Sequence, residues 1–186
     1  MKLRLITALT AALLSSLLSP AMAHEAHVHG VGKLDVALDG KTLSLHLDSP
    51  LINLIGFEHA AKSEKDRQAA KDMAKTLRNA ATVFVTSAAA GCTLSSVNLV
   101  SAAIDPALLG QSNNAPKTAA HADQDGHADL DADFVFQCAA PEKLQTIDVK
   151  LFEAFKGFVS IDVQLVTAKR QAAAKLTAAS SSLTFP

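Results

Sequence analysis

The chain has 186 residues, with 17 Lys+Arg against 18 Asp+Glu, a formal net charge of −1, eight Phe and neither Trp nor Tyr. Near-neutral charge argues against nucleic acid or an anionic membrane as the main partner. The missing indoles and phenols make stacking platforms for bases and sugars scarce. The length suits one domain with a real hydrophobic core.

Residues 1–23 read as a cleaved secretory signal rather than as part of the fold. Lys2 and Arg4 form a basic start, Leu5 to Leu18 is apolar apart from Thr and Ser, and Ser19-Pro20-Ala21-Met22-Ala23 supplies an A-x-A site. The run is too short to span a bilayer and nothing later is apolar for long enough, so no membrane insertion is expected. His24, not Cys, follows the site, which gives no support for a lipid anchor. Residues 24–186 are then expected to form a single exported domain, in which Cys92 and Cys138 pair. That bridge stabilises the fold by roughly 4 kcal/mol in the chain-entropy account.

The mature chain opens on HEAHVHG, three histidines in six residues. GKLDVALDGKTLSLHLDSP follows and reads as a hairpin. Leu34, Val36 and Leu38 alternate with polar or small residues, as do Leu43, Leu45 and Leu47, around Asp39-Gly40. With Asp39-Gly40 as a type I′ turn, Val36 faces Leu43, Leu34 faces Leu45 and Gly32 faces Leu47, while Leu38 meets Lys41. His46 then sits opposite Lys33 on the polar face and reads as a surface residue.

LINLIGFEH reads as a short helix or irregular turn. Ser63 with Asp66 forms a capping box for a helix carrying Ala70, Met73, Leu77 and Ala80 or Ala81 as its apolar stripe. Residues 83–85 and 94–102 read as strands, and a flexible His/Asp loop is expected at about 105–129. From Leu130 the period is two: Leu130, Ala132, Phe134, Phe136 and Cys138 point one way, Asp131, Asp133 and Gln137 the other. Residues 147–151, 161–166 and 182–185 complete the strands, and Ala168–Leu176 reads as an Ala-rich helix. The fold class is α+β: an antiparallel sheet with an N-terminal hairpin, packed by one main amphipathic helix and short helices, with one disulfide.

Two segments collect metal donors. HEAHVHG offers His24, His27 and His29, and cleavage after Ala23 would free the His24 α-amine beside its own ring. HADQDGHADLDAD offers His121, Asp123, Asp125 and His127 in sequence able to wrap an ion. Imidazole and carboxylate suit Zn²⁺, with Cu²⁺ the alternative because nitrogen donors favour it. Glu58 and His59 in GFEH are secondary candidates. An EF-hand fails, because its twelfth position would be Ala132, and HEAH lacks the HExxH spacing of a metalloprotease. With no nucleophile motif and no phosphate-binding loop, the chain does not read as an enzyme.

HVHGVGKLDVALDG, SPLINLIGFEHA, Gly91-Cys92, HADLDADFVFQC and DVKLFEAFKG together resemble the zinc-regulated ZrgA-like family of bacterial periplasmic proteins. The resemblance implies a periplasmic zinc-binding protein that assists zinc acquisition, working with a zinc uptake transporter or its binding protein. Members often carry a longer His-rich central tract, whose place only His121 and His127 mark here. The expected role is a scavenger or buffer that passes zinc on. A Cu(II) carrier and a metal-independent periplasmic interaction module are the alternatives.

Overall fold

The computed structural model describes residues 28–111 and 128–185. In chain order the strands are β1 (Val31–Asp39), β2 (Thr42–Pro50), β3 (Phe84–Thr86), β4 (Cys92–Val100), β5 (Asp129–Cys138), β6 (Thr146–Val149), β7 (Ser160–Thr167), β8 (Gln171–Thr177) and β9 (Ser182–Thr184). Among them lie the helices α1 (Leu51–Ile55), α2 (Glu64–Arg78), α3 (Ala80–Val83) and α4 (Leu151–Ala154). The domain is α+β, as its sequence periodicity indicates. One six-stranded sheet runs β4-β5-β2-β1-β7-β8, and a three-stranded sheet runs β3-β6-β9.

The leucines of the hairpin do share one buried face, but their register differs by two residues from the expected one. Leu38 pairs Leu43, Val36 pairs Leu45 and Leu34 pairs Leu47, so the turn residues are Gly40 and Lys41. Gly40 takes φ 54° while, among the described residues, none other than glycine has positive φ, and a type I′ turn would need it at both centres. The type II′ pattern fits, with glycine first. An even shift keeps every side chain on its face. It also places His46 opposite Asp35 and Asp48 opposite Lys33.

The second difference lies at the C-terminal edge. Ala168–Leu176 is not helical: Gln171–Thr177 is β8, antiparallel to β7. Alanine favours helix, but this stretch has only Leu176 as a large apolar side chain and no stripe for a helix to bury. The Thr167 hydroxyl accepts the N–H groups of Lys169 and Arg170 and turns the chain back. Ladder hydrogen bonds to β7 then override local propensity. The main sheet is also not wholly antiparallel, since β1 runs parallel to β7 from Val31↔Ser160 to Leu38↔Thr167.

The core lies between the inner face of the main sheet, α2 and the small sheet. Leu34, Leu45, Leu47, Phe134, Phe136 and Val163 bury against Ala70, Met73 and Leu77 of α2 and Phe84, Ile147 and Leu183 of the small sheet. Ser63 accepts the Asp66 N–H and Asp66 accepts that of Ser63, the reciprocal cap that starts α2. Phe84 and Phe134 meet at 5.0 Å between ring centroids, joining the two sheets. Cys92 and Cys138 are register partners on β4 and β5 and form the disulfide.

The short α1 is seated by a close backbone approach. A Cβ on Gly157 would stand within 3.0 Å of three backbone atoms of Asn53. Gly157→Ala is therefore expected to destabilise by about 2 kcal/mol, because backbone cannot yield as a side-chain tip can. A urea midpoint unchanged from wild type would refute that reading.

Candidate metal site

The N-terminal segment does not continue β1 backwards. It turns at His29-Gly30, with Val31 N–H donating to Val28 O at 3.0 Å and Gly30 at φ 85°. Asn53 on α1 holds this turn. Its Oδ1 accepts the Gly30 N–H at 2.7 Å, while its Nδ2 donates to Val31 O at 3.0 Å and to Ser49 Oγ at 3.2 Å. Asn53 is 2% exposed, so these bonds satisfy a buried amide that would otherwise be costly. On the other side Gly30 O accepts the N–H groups of Val159 and Ser160.

The turn points His29 at Glu58. Its Nε2 lies 3.1 Å from Glu58 Oε1 and 3.2 Å from Oε2, with the imidazole half exposed and the carboxylate 11% exposed. A borderline divalent ion is offered one nitrogen and one oxygen donor here. His59 takes other partners: it stacks on Phe57 at 4.6 Å and its Nδ1 lies 3.1 Å from Ala60 O. Of the secondary candidates, Glu58 joins His29 and His59 turns to its own neighbours.

His24, His27, His121, Asp123, Asp125 and His127 lie outside the described residues. The residues that flank them do not. Ala128, next to His127, accepts the Leu51 N–H through its carbonyl at 2.9 Å. Leu51 opens α1, two positions before Asn53, which holds Gly30. The N-terminal and central segments thus enter the fold on the same turn of helix. On its other flank the central segment is fixed to α2, where Arg78 Nε donates to Leu109 O at 2.7 Å and Leu109 is buried. The disulfide sits at the opposite end of the β4–β5 pair, so it ties those strands together away from this entry point.

A second imidazole–carboxylate group lies on the outer face of the main sheet. His46 Nδ1 is 2.7 Å from Asp133 Oδ1 and its Nε2 is 3.8 Å from Asp131 Oδ1, with Asp35 its register partner on β1. Asn98 reaches the second oxygen of Asp133 at 3.4 Å. Partial burial pulls the His46 pKa down. The Asp133 hydrogen bond and the charges of Asp133, Asp131 and Asp35 outweigh it, and the pKa stands above its ordinary value. Beside this group an open groove of about 600 Å³ is lined by Asp35, Ser44, His46, Asp133, Gln164 and Val166. The sequence placed His46 on the polar face correctly, but its partners depend on β2 pairing with β5, 87 residues away.

Among the described residues, no three His, Cys, Asp or Glu side chains converge as a ready metal site. No helix among them is long and apolar enough to cross a membrane. What they present is a disulfide-stapled α+β domain with imidazole–carboxylate pairs at one end of its main sheet and on its open face. Residues 26–185 match the family model described as ZrgA family zinc uptake protein, and the chain belongs to that family. No curated protein matches it.

Proposed function

We propose that this protein is a periplasmic zinc scavenger or buffer, exported by a cleaved signal at residues 1–23, which binds Zn²⁺ and passes it to an uptake transporter or its binding protein. One observation carries the reading: Leu51 and Asn53, two residues apart on α1, anchor the entry points of both histidine-bearing segments. His24, His27 and His29 from one segment, and His121, Asp123, Asp125 and His127 from the other, then serve a shared site. Glu58 is the fixed carboxylate beside it. Donors carried on two separate chain segments suit exchange more than permanent retention, because the entropy of bringing them together opposes tight binding.

Calorimetric titration of the chain lacking residues 1–23 with Zn²⁺ tests this at neutral pH. Saturable binding is expected, and both His27→Ala/His29→Ala and His121→Ala/His127→Ala should each weaken it at least tenfold. Binding should fall away below about pH 6, where histidine ligands protonate. Unaltered affinity in either double variant would separate that segment from the site. Absence of binding in the unaltered chain would leave a metal-independent interaction module as the reading.

A further inference from the structure

We propose that the open face of the main sheet carries a second, weaker site for a zinc-class divalent ion, with His46 Nε2 and the Asp131 carboxylate as ligands and Asp133 holding the imidazole. None of these residues belongs to the site at α1.

The geometry of His46 is the starting point. A neutral imidazole carries one N–H, and the bond to Asp133 Oδ1 at 2.7 Å fixes it on Nδ1. Nε2 then keeps its lone pair, directed to the side where Asp131 Oδ1 stands 3.8 Å away. A carboxylate on one ring nitrogen and a metal on the other is a recurrent way of orienting a histidine ligand, and it makes the imidazole a better donor. Two ligands at about 2.0–2.2 Å on a tetrahedral ion stand about 3.4 Å apart. A small side-chain rotation closes the difference.

A further carboxylate lies near the two ligands by register, without converging on them. Asp48 lies directly opposite Asp131 on the β2–β5 ladder, and their Cβ atoms are about 5 Å apart in such a pair. Two carboxylates face to face across a ladder repel each other; Lys33, opposite Asp48 on β1, offsets part of that repulsion, and a cation bound at Asp131 would offset more. The supports are strand positions, so they need no ordering on binding. The site is open to solvent on one side, where water completes the coordination. That openness, with two protein ligands already close, gives weak and exchangeable binding.

The test uses zinc alone as the probe and a variant lacking the histidines of the α1 site: His24, His27, His29, His121 and His127 all changed to alanine. Thermal unfolding of each variant confirms that it folds. The five-histidine variant is expected to keep one weak zinc equivalent, which His46→Ala abolishes. Asp131→Asn should weaken it at least tenfold, and Asp133→Asn by less. If the five-histidine variant binds no zinc, or binds it equally with His46→Ala and Asp131→Asn, the proposal is overturned. Failure of the α1 site would read differently, as equal zinc binding by the unaltered chain and the five-histidine variant.

Discussion

Asn53→Ala is expected to lower the stability of the fold by about 3 kcal/mol and, through the His29 turn, to reduce zinc affinity several-fold. The change leaves the Gly30 N–H and the Val31 carbonyl without the partner that satisfies them. A buried group left in that state costs about 1–3 kcal/mol. The removed side chain also leaves a small void at a buried position, since Asn53 is 2% exposed. Urea unfolding measures the first effect and calorimetry the second. A full loss of stability with unchanged zinc affinity would show that the turn does not position the metal donors.

Removing the disulfide should do the reverse. With Cys92→Ala/Cys138→Ala, unfolding is expected to become easier by roughly 4 kcal/mol, because the long loop it closes regains freedom in the unfolded chain. Zinc affinity should stay within about twofold of wild type, since β5 spans about 30 Å between Cys138 and the entry point near Asp129. The pair of experiments separates what holds the fold from what presents the donors. A metal affinity that falls with the bridge would mean that the two ends of β5 are energetically coupled.

How far the sequence carries depends on the range of the interaction concerned. The α2 cap at Ser63 and Asp66 and its stripe of Ala70, Met73 and Leu77 are readable because all lie within a few turns of one helix. The inward face of β5 is readable for the same reason, since alternation is local. The hairpin register was open to a two-residue error, because Asp39-Gly40 and Gly40-Lys41 both look like turns and only backbone φ separates them. β8 was misleading because alanine states a helix preference while its strand pairing with β7 is a tertiary fact. In the candidate sites, the donor types were legible but their company was not. Nothing in LINLI marks Asn53 as the buried clamp of a turn 23 residues upstream. Likewise, Asp131 and Asp133 look like an ordinary solvent face until β2 brings His46 beside them.

The parallel pairing of β1 with β7 has a kinetic consequence. β1 can form its hairpin with β2 early, because the two are adjacent in sequence. Its other edge stays open until the chain from Val159 onward arrives, since Ser160 is the partner of Val31. Contacts so distant in sequence pay their loop-closure entropy before they are rewarded, which places such folds among the slower ones. The same late pairing brings Val159 and Ser160 onto the Gly30 carbonyl. The turn bearing His29 is thus completed only when the last third of the chain has joined the sheet.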